Sequence, residues 1–192
     1  MDTQELRDRI VRAADRLYYA RGTSNVGMDA VRDESGASLK AIYKQFSSKE
    51  DLILAVLQSR HDLWTQGVQR EAACWESPDA KILAVYDFLA SLFTEETFRG
   101  CGFINAFGEL GATSERVAEA VRAHKKSFQD YVTALVEQAG WPAELGAQLA
   151  LLAEGAQTTA AISGDISSAE TARRAAVILI EASRNASRWA TA

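Results

Sequence analysis

A run of polar and charged side chains between residues 38 and 49 has the composition of a nucleic-acid-binding surface. A helix is predicted over residues 39–45. One of its faces, with the residue before it, carries Ser38, Lys40, Tyr43 and Lys44, and Lys49 begins the next helix. Their hydroxyl, ammonium and phenol groups can bind phosphates and base edges in a DNA groove. Ile42 and Phe46 lie four residues apart on the opposite face, which predicts that this face packs on a core.

A preceding helix and a glycine turn are predicted to position this surface. The second helix of the chain is predicted over Met28–Ser35, and Gly36 then supplies a sharp reversal in the left-handed backbone region. Ser38 occupies a helix N-cap position, where its hydroxyl can accept from a free amide. Two serines before the acidic residues at 50 and 51 form a second capping pattern. That pattern predicts a long fourth helix from Lys49 to about Cys74.

The residues of this region resemble the DNA-binding head of TetR-type (tetracycline-repressor-type) transcriptional regulators. The resemblance covers roughly residues 5–57 and is carried by Leu17-Tyr18, Arg21-Gly22, Gly36-Ala37-Ser38, Ile42-Tyr43, Phe46, Ser48-Lys49-Glu50 and Leu52. It implies that the DNA-contacting residues are Met28, Ser38, Leu39, Lys40, Ala41, Tyr43, Lys44 and Lys49. Within that set, residues 38–41 would face the groove and the last three would contact phosphates. Lys40 is the expected contact to a guanine edge.

Charge and composition fit a helical protein with a DNA-binding end. The chain has 192 residues, 47% of them hydrophobic, two prolines and a net charge of −5. The first quarter is slightly basic and the remainder acidic, so DNA would attract one end and repel the other. The alternative is that these charges are ordinary solvated helix faces. Arg32, on the second helix, is expected to reach a phosphate or a nearby acid.

Several sequence features indicate a cytoplasmic protein that is not an enzyme. The segment MDTQELRDR lacks an apolar core, so no secretory signal is expected, and the apolar runs are too short for a membrane span. Cys74 and Cys101 have no CxxC spacing and are expected to be reduced thiols. His61 and His124 lie in no catalytic or metal-binding motif. We therefore expect no catalytic residues, no metal and no cofactor.

The periodicity of the remaining chain predicts an all-α protein of about nine helices. A first helix, from an Asp2 or Thr3 cap to Ala20, completes a three-helix head with its helix-turn-helix. The fourth helix joins this head to a helical body that binds ligand and dimerises. Later helices are predicted over 79–97, 103–110, 114–139, 143–163 and 168–189, the last opened by a capping box of Ser167 and Glu170. The predicted domains are residues 1–48 and 49–192.

Small residues in the last two helices form a stripe that could serve as a dimer interface. Its members at three- and four-residue spacing include Leu152, Ala156, Ala172, Ala176, Leu179 and Ala186. Small side chains let helices approach closely, and the stripe is similar to the interface of the TetR family, a four-helix bundle across a two-fold axis. The alternative is an alanine-rich core inside one chain.

The resemblance also implies a small-molecule site in the body. Aromatic and polar residues that could line it are Trp64, Tyr86, Phe103, Asn105, Phe107, Phe128, Tyr131 and Gln157. An apolar cavity with a few polar groups is the usual form of such a site, although aromatic stripes also build plain cores. The leading hypothesis is a homodimeric repressor that binds a near-palindromic operator and is released by a small apolar or amphipathic effector. The alternative is a dimeric DNA-binding protein that responds to no effector.

Overall fold

The prediction of an all-α chain is confirmed. In the computed structural model, residues 2–190 are described, with the side chains of residues 186–190 excluded, and these residues form nine helices and no strand. The helices are α1 (Thr3–Arg21), α2 (Met28–Ser35), α3 (Leu39–Gln45), α4 (Lys49–Ala72), α5 (Pro78–Phe93), α6 (Gly102–Leu110), α7 (Glu115–Gln138), α8 (Glu144–Ser163) and α9 (Ser168–Ala190). Among them, none combines the length and apolarity needed to cross a bilayer.

Side-chain caps define several of the helix starts, as the sequence predicts. Asp2 accepts a hydrogen bond from the Gln4 amide, and Ser38 accepts one from the Ala41 amide at 3.2 Å. The Ser48 hydroxyl accepts from the amide three residues later at 3.0 Å, and Ser114 does the same at the start of α7. Each bond satisfies an amide that the first helical turn leaves without an intrahelical partner.

One predicted helix boundary and one predicted capping box are wrong. Helix α5 ends at Phe93, four residues before the predicted end, because Thr94 turns the chain and its amide bonds back within a tight turn. The predicted capping box of α9 is also absent from the described contacts. The Ser167 hydroxyl instead donates to Asp165 at 2.9 Å, while Glu170 pairs with Arg174 one turn along the helix.

The chain divides into two compact units. The head unit comprises Met1–Leu63 with Cys101–His124, and the body unit comprises Trp64–Gly100 with Lys125–Ala192. Helix α6 and the first part of α7 therefore belong to the same unit as the three N-terminal helices. The predicted boundary between residues 48 and 49 coincides with the start of α4, whereas the chain passes from one unit to the other within α4, before α6 and within α7.

The head unit has its own hydrophobic core. Buried residues of α1, α2, α3 and α4 meet there, among them Ile10, Val31, Ile42 and Leu52. Helices α6 and α7 add Phe103, Ala106, Val117 and Val121 to the same core. Since burial of apolar surface is the main favourable contribution to folding, α6 and the first half of α7 stabilise the arrangement of the three N-terminal helices.

The body unit is built on α5, α8 and α9 packed together, and the alanines predicted for a dimer interface take part in this packing. Ala156 and Ala172 are buried within the chain, and Ala176 is 0% exposed. Leu152 and Leu179 are half-buried against the same core, and the side chain of Ala186 lies outside the described residues. The alanines are buried because their small side chains allow α8 and α9 to approach each other within one chain, which is the alternative that the sequence left open.

Gly146 marks a close approach of α7 and α8 that we expect to be sensitive to one added methyl group. A Cβ at this position would lie 2.8 Å from the Thr133 Cα and 2.6 Å from its Oγ1, so backbone would have to move. Gly146→Ala should lower the free energy of unfolding by about 1–3 kcal/mol. Gly108→Ala is the control, because a Cβ there meets nothing within 4 Å. Urea unfolding of both variants checks this, and equal stability of the two would contradict the close approach.

Candidate nucleic-acid interface

Helix α3 is held by its apolar face and by the residues at its two ends. Gly36 ends α2 in the left-handed region at φ 65°, which reverses the chain in a few residues. Ile42 and Phe46 are buried in the core of the head unit, as predicted. The Arg7 guanidinium lies over the Phe46 ring, 4.3 Å from its centre, and donates to the Gln45 carbonyl at 3.2 Å. Because these contacts fix the end of α3, the helix presents its other face in a defined orientation.

The outward face of α3 carries most of the predicted DNA-contacting residues. Ser38, Lys40 and Lys44 are exposed, and Tyr43 keeps 49% of its surface accessible. Leu39, Ala41, Met28 and Lys49 are half-buried around this exposed group. The head unit therefore displays two ammonium groups and a phenol on one short helix. Such groups can contact phosphates from a helix that enters a major groove.

Lys49 differs from the other two lysines in its surroundings. Burial lowers the pKa of its ammonium group, and the negative charge of Glu109 partly offsets that effect. The Glu109 carboxylate accepts from the Thr23 amide at 3.1 Å and from the Ser24 amide at 2.7 Å. A phosphate that approached Lys49 would therefore meet a lysine with an acidic neighbour fixed to the α1–α2 turn.

Arg32 is directed at neighbouring acids, one of the two outcomes expected of it. Its guanidinium contacts Asp29 at 2.5 Å and Asp33 at 2.8 Å on the exposed side of α2. The hydrogen bond to Asp33 is the main reason that the pKa of Arg32 is raised. These pairs hold the side chain over its own helix and leave the core of the head unit to Val31.

A network of charged residues joins the start of α7 to the start of α4, and sequence reasoning missed it. Ser114 donates to Glu50 at 2.5 Å, and Arg116 contacts Glu50 at 2.8 Å and Asp51 at 2.9 Å. The Ser114 bond is the largest cause of the lowered pKa of Glu50. These partners are more than sixty residues apart in the chain, so no local pattern could identify them.

The same network predicts an acid-dependent contribution to stability. The Ser47 hydroxyl, followed by Arg116 and Ser48, lowers the pKa of Asp51 from 3.8 to about 2. A lowered pKa stabilises the folded state above the unfolded value, and this contribution is lost as pH falls through the folded value. Wild type should therefore exceed Asp51→Asn in unfolding free energy at pH 6, and the difference should shrink between about pH 4 and pH 2. Urea midpoints at several pH values test this, with a constant difference as the contrary result.

Arg116→Ala provides the matched comparison for this pH dependence. It removes one of the partners of Asp51 and leaves the two serine hydroxyls in place. The acid-dependent part of the stability should then be smaller than in wild type but larger than in Asp51→Asn.

Comparisons with known proteins give the family. The family model described as bacterial regulatory proteins, tetR family, matches residues 10–56. The crystal structure of a TetR-family transcriptional regulator from Streptomyces coelicolor is 30% identical, with a TM-score of 0.87, and the match covers 94% of this chain and 96% of that one. The chain belongs to the TetR family. A TetR-type regulator from Streptomyces avermitilis is similar at 26% identity and a TM-score of 0.80, covering 93% and 98% of the two chains.

Other TetR-type relatives match over shorter lengths. The transcriptional activator FasR of Mycolicibacterium smegmatis is 29% identical over 134 residues, which is 70% of this chain and 60% of that protein. The transcriptional regulator TtgR of Pseudomonas putida is 34% identical over 61 residues, or 32% and 29% of the two chains. This TetR-family chain thus spans about 60% of the length of the first relative and less than a third of the second. The chain shares with these two regulators the helix-turn-helix segment that binds DNA in this family.

The predicted effector-site residues divide between the two units of this TetR-family protein. In the head unit, Phe103 is buried and stacks on the His124 ring with 3.5 Å between ring centres, while Asn105 and Phe107 are exposed on α6. His124 also meets His61, with their Nδ1 atoms 3.0 Å apart, so one imidazole must donate to the other. Neither histidine contact was expected from the sequence.

The other five candidates lie in the body unit. Trp64 packs edge-to-face on Phe88 and Phe128, with ring centres 5.2 and 5.8 Å apart. Tyr86 is a core residue whose hydroxyl donates to the Leu149 carbonyl at 2.8 Å. Burial raises the pKa of Tyr131, and Gln157 is a buried polar residue on α8. Nearby along the same helix, Glu154 pairs with Lys125 at 2.5 Å. The aromatic cluster around Trp64 therefore remains a predicted ligand site.

Most of an exposed, largely apolar face in the body unit was also missed. On α8 it consists of residues at four- and three-residue spacing, namely Leu151, Gly155, Thr158 and Ile162, and on α9 of Thr171, Ile178 and Ala182 with the half-buried Ala175 between them. Ile162 is 83% and Ile178 66% exposed. Large aliphatic side chains at such exposure indicate an interaction surface. The spacing of this set is visible in the sequence, but the sequence does not indicate which face of each helix is free.

Proposed function

We propose that the protein is a homodimeric, ligand-responsive repressor that binds a near-palindromic operator in the cytoplasm. The observation that carries this proposal is helix α3, whose apolar face is fixed by Ile42 and Phe46 while Lys40, Tyr43 and Lys44 remain exposed. A single short helix reads only a few base pairs, so an operator of useful affinity requires two such heads.

The exposed face of α8 and α9 supports the dimer. A two-fold interface places the same surface of each protomer against its copy, so an apolar face with small residues is self-complementary. Gly155 and Ala175 allow close approach, and Ile162 and Ile178 supply apolar area. We infer that two copies of these helices form a four-helix interface, with the alanine stripe inside each chain rather than between chains.

The aromatic cluster of Trp64, Phe88 and Phe128 supports an effector site in the body. An effector can shift the protein from DNA only if it binds the released conformation more tightly than the DNA-bound one. The expected ligand is small and apolar or amphipathic, because aromatic rings dominate this cluster. Repression is the proposed sign of regulation, although the relative FasR is an activator by name.

Selection of binding sites from random duplex DNA tests the DNA-binding part of the proposal. The expected result is an enriched sequence with two similar half-sites in inverted orientation, spaced by about one helical turn. Competition with bulk duplex at moderate salt measures the preference. Enrichment of no sequence, or of a single half-site only, would contradict a dimeric operator-binding protein.

Tryptophan fluorescence separates the ligand-responsive hypothesis from the effector-independent one. A panel of small apolar molecules should include one that changes the emission of the wild-type protein and lowers its operator affinity. Trp64→Phe keeps an aromatic ring in the cluster and should remove most of that emission change. If no compound alters both emission and operator affinity, the effector-independent dimeric DNA-binding protein is the better description.

A further inference from the structure

The turn between α1 and α2 is held by a side chain from α6. The Glu109 carboxylate accepts hydrogen bonds from the Thr23 amide at 3.1 Å and from the Ser24 amide at 2.7 Å. Gly22, the residue before them, has φ 84°, a positive value that favours glycine. A Cβ at Gly22 would come within 3.3 Å of both carboxylate oxygens. The backbone of the turn therefore fits closely around the carboxylate.

The start of α2 follows directly from this turn and has no cap of its own. Val26, 2% exposed, packs in the core of the head unit, and Gly27 is the N-cap residue of α2. Glycine has no side chain that could accept from the first amides of the helix, as Ser38 does at the start of α3. The Glu109 contact with the preceding turn therefore supplies part of the order that a side-chain cap would provide.

The two hydrogen bonds join the turn to a helix that is itself fixed in the head unit. Phe103 and Ala106 seat α6 in the core of that unit. Hydrogen bonds to an ionised acceptor are about twice as strong as those between neutral groups. The Glu109 carboxylate thus ties the turn, which lies 85 and 86 positions earlier in the chain, to a rigid part of the same core.

We propose that Glu109 is a positioning residue for DNA binding. By holding the α1–α2 turn, it fixes the start of α2 and, through the reversal at Gly36, the orientation of α3 before DNA arrives. A head without this contact must order the turn as it binds, and that ordering costs conformational entropy on every DNA sequence. This inference rests on the proposed use of α3 as the reading helix.

A purely electrostatic role for Glu109 predicts the opposite effect on DNA binding. Burial lowers the pKa of Lys49, a predicted phosphate contact, and the negative charge of Glu109 partly offsets this. The same charge repels a phosphate that approaches Lys49. If repulsion dominated, removing the charge would strengthen binding whether or not the turn kept an acceptor. Glu109→Gln and Glu109→Ala separate the two roles, because glutamine keeps a carbonyl oxygen that can accept and alanine does not.

Amide hydrogen exchange of the full-length protein without DNA and operator titration at fixed salt test the proposal together. In Glu109→Ala the Thr23 and Ser24 amides should exchange about tenfold faster or more, as expected for losing a charged acceptor. The operator Kd should rise about five- to tenfold for each head, roughly the cost of ordering one residue of backbone on binding. Glu109→Gln should recover most of both effects. Glu119→Ala, which removes an exposed carboxylate from α7 of the same unit, is the control and should leave the exchange of these two amides unchanged.

Three results would overturn the proposal. They are unchanged exchange of the Thr23 and Ser24 amides in Glu109→Ala, an unchanged or lower operator Kd in that variant, and equal operator Kd values for Glu109→Ala and Glu109→Gln. Glu109 is exposed, so both variants should fold, and the exchange of core amides monitors this. If the wild-type protein selects no operator, the proposed function itself fails. If wild type binds its operator and Glu109→Ala binds equally well, only this inference fails.

Discussion

Ile162→Arg should convert the dimer into a monomer and weaken binding to a two-site operator by about 100-fold or more. In one chain Ile162 is 83% exposed, so the substitution should cost little folding free energy. In the proposed dimer, the substitution would place an arginine from each protomer in an apolar interface. An unpaired charge buried there carries a large desolvation penalty. A monomer also loses the effective concentration that makes the second half-site easy to bind.

Sedimentation velocity measures the oligomeric state, and operator titration at fixed salt measures affinity. Gln129→Arg, an equal change of charge on the exposed side of α7, should remain dimeric and bind the operator normally. Ala176→Arg is unsuitable for this purpose, because Ala176 is completely buried and an arginine there would unfold the body unit. An Ile162→Arg protein that sediments as a dimer would show that the exposed face of α8 and α9 is not the interface.

Three substitutions on α3 should separate general affinity, salt dependence and base discrimination. Tyr43→Ala should weaken binding to all duplexes by about tenfold per head, because each head would lose one hydroxyl contact to a DNA phosphate. Its salt slope should stay unchanged, since no charge is lost. Lys44→Ala should reduce that slope by about one for each head, through one fewer released counterion per head.

Lys40→Ala should act mainly on specificity. A good contact to a base edge is worth about 1–3 kcal/mol of discrimination, so one base pair in each half-site should become tolerant of substitution. Titration of single-base operator variants at two salt concentrations measures all three effects. Equal losses on every operator variant for Lys40→Ala and Tyr43→Ala would contradict the proposed division between reading and positioning.

Local patterns in the sequence were sufficient for the fold class and for the reading helix. The hydroxyl at Ser38, the glycine before it and the four-residue spacing of Ile42 and Phe46 each act over one or two turns. Such signals depend on backbone geometry and capping, which neighbouring residues determine. The position of α3, its exposed side and its bounds were therefore predictable.

Long-range contacts were not predictable in the same way. The Glu109 carboxylate meets the Thr23 amide across 86 positions, and Arg116 reaches Glu50 across 66. The neighbouring sequence does not distinguish these charged residues from charged residues that only face solvent. The sequence could not assign the alanine stripe for a related reason, because a small side chain suits a contact within one chain as well as one between chains. Only burial in the folded unit separates the two cases.

The composition of the head unit has a consequence for exchanging DNA specificity between TetR-family proteins. Because α6 and the start of α7 complete its core, a chimera that transplants residues 1–48 alone would pack the foreign reading helix on core residues from the recipient protein. Residues 101–124 supply Phe103, Val117 and Val121 to that core. The transferable module is thus discontinuous in the gene, and a specificity graft should carry both segments together.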